Sequence, residues 1–210
     1  YLVELYRAVH GLAGAANYAR LRNVTQLCCA LETLLKELNA KPQKITPSSL
    51  HTITHAIDLL TPLLQHAREN EDDSIPSPLI LVLDDEPISR ETTCSALEYA
   101  QLRALSLDDP EIALRVLAEN RFDLIFMDVQ MPGMDGFEAC QRIHATAANP
   151  NTPIVFITAM NSFDTRARSS LSGGVDFVTK PILMIEIAVK ALTHLLRAHC
   201  HLASSTGAKA

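Results

Sequence analysis

No stretch of this chain approaches the length of a membrane span, and no secretory signal opens it. Tryptophan is absent, which excludes no fold. The five cysteines are odd in number and lack metal-ligand spacing; Cys28 and Cys29 are adjacent and the rest scattered. This excludes a disulfide framework and a sequence-encoded zinc site, and reads as reduced thiols in a cytoplasmic protein. Positive charge is short: 18 Lys and Arg against 24 Asp and Glu leave a net −6. A nucleic-acid binder would need the opposite balance. There is no internal repeat, no glycine-rich phosphate loop and no kinase ATP site. What remains is an ordinary globular composition, 48% hydrophobic over 210 residues, with room for one domain of typical size and a smaller one.

The informative stretch is Phe122 to Gly136. Phe122, Leu124, Ile125, Phe126 and Met127 run into Asp128, which predicts a strand buried on both faces with a carboxylate at its carboxyl end. Met131-Pro132-Gly133-Met134-Asp135-Gly136 then breaks the strand. A lone Asp there would be a turn or cap residue. Three other strand ends argue for more. Asp84-Asp85 ends Leu79 to Leu83, Thr158 ends Ile154 to Ile157, and Lys180 ends Val175 to Thr179. Helical stretches separate these strands, so the pattern is βαβα and the sheet parallel. Carboxylates gathered at one edge repel unless a hard cation sits among them, and an oxygen set of this kind suits magnesium.

Asp84, Asp85, Asp128, Thr158, Phe177 and Lys180 stand in the order and spacing of the response-regulator receiver domain, and the stretch from about Pro78 to Arg197 resembles that family. The resemblance implies a flavodoxin-like (βα)5, doubly wound parallel sheet, an α/β fold, phosphorylated on Asp128. It implies magnesium held by Asp85, Asp128 and the backbone carbonyl of Gln130, with Asp84 acting through water. Lys180 would supply a point charge to a phosphate oxygen and Thr158 a hydroxyl donor, with Phe177 as the switch aromatic. The strands are expected at about 79–83, 102–107, 122–127 and 154–157, with a fifth around Phe177. A short helix is expected at 164–171. The Lys180–Pro181 bond is expected to be cis, because Lys180 must enter the site as the chain reverses.

The first 69 residues read as helices, an all-α bundle. Leu2, Leu5, Val9, Leu12 and Ala16 form the buried stripe of a helix over 1–18, and Val3, Arg7, His10 and Gly14 lie on another side. A second helix, 23–38, turns Val24, Leu27, Leu31, Leu34 or Leu35, and Leu38 inward. A third follows the Thr46-Pro47 cap, with Leu50, Ile53, Ile57, Leu60 and Leu64 inward and a kink or break expected at Pro62. His51 and His55 sit one turn apart on it, with no third ligand in the sequence. His10 to Ala16, with Leu27-Cys28 and Leu31-Glu32, resembles a histidine phosphotransfer (HPt) domain. The resemblance implies His10 as a second phosphoacceptor. Ala13 stands where that family usually has Lys, and Arg20 where Gly is common. Three stripes leave one side of the bundle uncovered, so a homodimer, or a fourth helix missing from the N-terminus, is expected.

The acidic, proline-bearing stretch 70–78 is the expected linker, with a receiver over 79–199 and a disordered tail over 200–210. The expected activity is phosphorelay signalling with a histidine kinase or phosphotransfer protein as partner, with no nucleic-acid or membrane contact through this region. The alternative makes the bundle a docking or dimerisation module and places an output domain beyond residue 210. An aspartyl phosphatase usually has a second Asp two residues past its nucleophile; Gln130 stands there instead.

Overall fold

The computed structural model describes residues 1–69, 77–159 and 173–206, with side-chain burial through residue 200. Most of the expected linker, the helix expected at 164–171 and residues 207–210 lie outside the described residues. The chain divides into two compact units, Tyr1–Pro76 together with Ala188–Ala210, and Ser77–Ile187.

In the first unit α1 (Leu2–Tyr18) buries Val9, Ala13 and Ala16 and leaves His10 exposed. It ends in a capping turn: Leu21 N–H donates to the Ala16 carbonyl at 2.9 Å and Arg20 N–H to Asn17 at 3.1 Å. That closure puts Arg20 at φ 59°, in the left-handed region that glycine enters without strain. Arg20 therefore adopts the conformation for which the family commonly has Gly. Helix α2 (Arg22–Ala40) supplies the core: Val24, Leu27, Leu31, Leu34, Leu35 and Leu38 are fully buried.

Helix α3 (Pro47–Glu69) opens on a reciprocal cap in which Ser49 N–H donates to Thr46 Oγ1 and Thr46 N–H to Ser49 Oγ. Two expectations fail here. Leu50 is 49% exposed, and the buried side is Ser49, Thr52, Ile53, Ala56, Leu59, Leu60 and Leu63. Small residues let that side pack closely, and hydroxyls bonded along the helix, such as Thr52 Oγ1 to the Ser48 carbonyl at 2.8 Å, make their burial inexpensive. Nor does Pro62 interrupt the helix, which runs unbroken past it. Proline removes one donor, and packing on both sides of it holds the remaining turns.

A fourth helical stretch joins this unit from the far end of the chain. Helix α7 (Met184–Thr206) continues beyond the expected domain end at 199 into the expected tail, and from Ala188 onward belongs to the first unit. Its Arg197 guanidinium reaches the His55 carbonyl at 3.4 Å, and the His199 ring meets His66 edge-on at 5.2 Å. A chain reading that counts helices only before the linker has no means of finding it.

The second unit is a five-stranded parallel sheet of order β2-β1-β3-β4-β5, built from β1 (Ile80–Leu83), β2 (Ala104–Leu107), β3 (Leu124–Asp128), β4 (Ile154–Thr158) and β5 (Asp176–Thr179). Helices α4 (Pro87–Tyr99), α5 (Pro110–Glu119) and α6 (Gly136–His144) connect them. Strands β1, β3 and β4 are buried at every position, as their unbroken apolar runs demand. Strand β2 is half-buried and starts two residues later than expected, as suits an edge. The chain leaves β1 toward β2 and returns to its other side as β3, so the order reverses between β1 and β3. That switch point, at the carboxyl ends, is where open α/β sheets hold ligands. Asn149 pins the opposite end of β3. It is wholly buried, takes Phe122 N–H and Thr152 Oγ1 on its oxygen, and donates to the Leu117 and Asn120 carbonyls. Among the described residues no helix is long and apolar enough to cross a membrane.

Candidate functional site

The carboxyl ends of the strands bring one group of sequence-predicted residues together. Carboxylate oxygens of Asp84, Asp85 and Asp128 all lie within 4.8 Å of one another. Asp84 is wholly buried, Asp128 nearly so and Asp85 half-buried. Backbone pairing carries the remaining members to the same edge: Val129 N–H meets the Ile157 carbonyl and Lys180 N–H the Thr158 carbonyl. Lys180 Nζ sits 3.3 Å from Asp84, 3.4 Å from Asp128 and 3.3 Å from Glu86. The peptide bond from Lys180 to Pro181 is cis. Thr158 is buried at the end of β4, and Gln130 is exposed just past Asp128. Phe177 is half-buried against the apolar core of the sheet.

Three supports escaped the sequence reading. Ser89 Oγ hydrogen-bonds Asp84 Oδ2 closely, Glu86 N–H donates to Asp84 Oδ1 at 2.9 Å, and Arg90 Nη1 donates to the Asp84 carbonyl at 2.7 Å. The first turn of α4 thus clamps the acid pair. The signal was present in the register Asp84-Ser89-Arg90, but only the helix start just after the pair brings those residues back. The loop after Asp128 is latched too. Asp135 caps α6 by accepting from Glu138 N–H, and Gly136 N–H donates to the Val129 carbonyl at 2.9 Å. A Cβ at Gly136 would overlap the Asp128 carbonyl oxygen.

Charge in this pocket is unbalanced. Burial, then the neighbouring Asp84 carboxylate, pushes the Asp128 carboxyl up to about 6, against the pull of Lys180 and Val129 N–H. Burial alone would lower the Lys180 ammonium, but Asp128, Asp84 and Glu86 outweigh it and hold it above its usual range. An oxygen-only cluster with surplus negative charge fits a hard divalent cation, and magnesium is the ion of that chemistry.

His10 stands apart from this pocket, on the exposed side of α1. Its side chain is 67% exposed, and Nδ1 lies 3.1 Å from Glu32 Oε1 on α2. Tyr6, one turn earlier, donates its hydroxyl to the same oxygen at 3.1 Å. The Tyr6 and His10 rings lie 6.0 Å apart and nearly parallel. Gly11 and Gly14 leave open space around the helix there. Ala13, standing in the place of the family's Lys, is buried. Glu32 belongs to the Leu31-Glu32 pair of the HPt resemblance, but its contact with His10 was not legible in the sequence. His51 and His55, on α3, have their ring centres 3.8 Å apart.

A parallel doubly wound sheet with an acid triad and a lysine at its switch point is the geometry of a receiver fold. Residues 80–192 match the family model of the response regulator receiver domain, and residues 2–68 match that of the Hpt domain. The chain belongs to the receiver family and carries an Hpt domain ahead of it. Among curated proteins it is 31% identical over 118 residues to the probable transcriptional regulatory protein TcrX of Mycobacterium tuberculosis, covering 56% of this chain and 49% of that one. It is 33% identical over 134 residues to the sensor histidine kinase GacS of Pseudomonas protegens, covering 62% of this chain and 15% of GacS. The chain thus spans half or less of these relatives. Among solved structures it superposes on the chemotaxis protein CheY4 of Vibrio cholerae with a TM-score of 0.53 at 27% identity, covering 57% of this chain and 99% of that one. The receiver domain of the sensor kinase PA1611 of Pseudomonas aeruginosa, solved with magnesium in its active-site cleft, gives 0.52 at 25% identity, covering 58% and 99%.

Proposed function

We propose that this chain is a phosphorelay element in which Asp128 and His10 are the phosphoacceptors. The observation that carries the reading is the convergence of Asp84, Asp85, Asp128 and Lys180 at one sheet edge, with the ammonium 3.3–3.4 Å from two carboxylates. An Asp128 oxygen attacks the phosphorus of a phosphohistidine donor. The O–P bond forms, the N–P bond breaks, and the departing imidazole takes up a proton. Lys180 meets the charge on a phosphoryl oxygen, and Thr158 offers its hydroxyl to another. Asp84, Asp85 and Asp128, with the Gln130 carbonyl, would hold magnesium, which when bound offsets the charge of the carboxylates and the phosphoryl group. Phe177, packed at the rim of the core, would report the change to the surface as Thr158 moves. The partner is a histidine kinase or phosphotransfer protein, met in the cytoplasm. Pairing of two chains was expected for a three-helix bundle; the helical stretch from α7 weakens that reason.

The test is incubation of the full chain with acetyl phosphate and magnesium. One phosphoryl group is expected on the second unit, and Asp128→Ala should lower its uptake by about 100-fold or more. Equal uptake by Asp128→Ala removes the assignment. An aspartyl phosphatase would instead turn over a phosphate ester continuously.

A further inference from the structure

The arrangement around His10 contains one group that neither the resemblance nor the family match assigns. The Tyr6 hydroxyl and the His10 ring nitrogen share a single oxygen of Glu32, each at 3.1 Å. The hydroxyl has one hydrogen. Directed at Glu32, it takes an acceptor oxygen there. The same oxygen can accept a second hydrogen, from Nδ1, in the tautomer that carries it there. That leaves Nε2, the nitrogen remote from α2, with its lone pair free.

We propose that Tyr6 is a positioning residue for phosphoryl transfer at His10, holding Glu32 so that the imidazole carries its proton on Nδ1 and presents Nε2 as the nucleophile. The inference rests on His10 being an acceptor, as read above. Helical spacing makes the device compact: Tyr6 and His10 are four residues apart on α1, so both reach the same point on α2. The near-parallel rings, 7° apart at 6.0 Å, restrict rotation of an imidazole that is otherwise two-thirds exposed. Glu32 is itself only 23% exposed, on a helix whose leucines are fully buried, so its backbone is a fixed point. Glu32 also holds the phenol above its ordinary range, first through the hydrogen bond. In the transfer step the Nε2 lone pair attacks phosphorus, the donor's bond to phosphorus breaks, and the Nδ1 proton stays on the ring. The positive imidazolium so formed faces Glu32. This matters here because the family's usual lysine is replaced by the buried Ala13, and Glu32 acts on the imidazole ring, not on the phosphate.

The experiment uses the full chain with 15N-labelled histidine. Long-range proton–nitrogen spectra read the two ring nitrogens of His10, assigned by their loss in His10→Gln. The wild type should show Nδ1 protonated and Nε2 bare. Tyr6→Phe keeps the ring and the helix, which circular dichroism verifies, but should move His10 toward the other tautomer. Potassium phosphoramidate then serves as a small donor to an Asp128→Ala chain, in which only His10 is available. Adding Tyr6→Phe should slow acid-labile phosphate uptake about three- to tenfold, the scale of one lost hydrogen bond to a charged group, and Glu32→Gln should slow it more. A tautomer balance and an uptake rate both unchanged by Tyr6→Phe overturn the proposal, whatever Glu32→Gln does. A wild type that takes up no phosphate on His10, yet shows the tautomer shift, overturns the acceptor reading and leaves Tyr6's role on the imidazole standing.

Discussion

The two proposed acceptors differ in how much chain is needed to build them. The Asp128 pocket draws on the ends of four strands and the first turn of α4, and most of its polar atoms are out of water. The His10 site uses two neighbouring helices and three side chains, in the open. A carboxylate is a poor nucleophile and its product is a mixed anhydride, so it needs charge assembled around it before phosphate arrives. An imidazole is already nucleophilic near neutral pH and needs mainly its tautomer and orientation set. The first requirement calls for a fold, the second for a helix pair.

The comparison breaks most readily at Lys180. Lys180→Ala should slow acetyl phosphate uptake on the second unit by about 10²-fold, the scale of removing one preorganised charge. A loss below about threefold in initial rate would mean that assembled charge is not what distinguishes the pocket. A smaller effect concerns the units themselves. A fragment ending at residue 76 lacks the α7 stretch that belongs to the bundle, so it should melt at least about 5 °C below the bundle transition of the whole chain, the shift expected of roughly 1 kcal/mol in a domain of this size. A fragment that melts as the whole chain does would show that the first unit closes on three helices.

The finest distinction is electrostatic. Folding raises the Asp128 carboxyl from 3.8 to about 6. The folded state therefore holds this proton more tightly than the unfolded chain. The resulting stability is fully present below about pH 4 and lost as pH rises through about 6. In a metal-free chain the stability of wild type relative to Asp128→Asn should fall over that window, by a few degrees in melting temperature. Magnesium should abolish the slope. A flat metal-free difference would mean that burial and the Asp84 carboxylate do not raise the Asp128 carboxyl.

Legibility followed the same division. The unbroken apolar runs before Asp84, Asp128 and Thr158 announced buried parallel strands, and position at a strand end is a property of sequence spacing. What sequence spacing does not carry is which neighbours a chain meets after it folds. Ser89 and Arg90 looked like ordinary residues of α4 until its first turn bent them onto Asp84. Leu50 scores well on a helical stripe, but small residues such as Ser49 and Ala56 set the buried side of α3 by how closely another helix can approach. Glu32 and Tyr6 are 26 residues apart, and their meeting depends on how α1 and α2 cross. The helical stretch from Ala188 onward was hidden most thoroughly, because nothing local ties it to a bundle at the other end of the chain.

Gly136 has a consequence for heredity. The loop folds back against the carbonyl of Asp128, and there is no room for even a methyl group. Any change in the first two letters of a glycine codon adds at least that much. Selection at this position therefore acts on volume alone, whatever charge or polarity the newcomer brings. A lineage that abandons phosphorylation would be released from holding Asp84 or Lys180, yet would still have to keep Gly136 for as long as it kept the sheet. In a drifting descendant, the glycine should be the last of these letters to go.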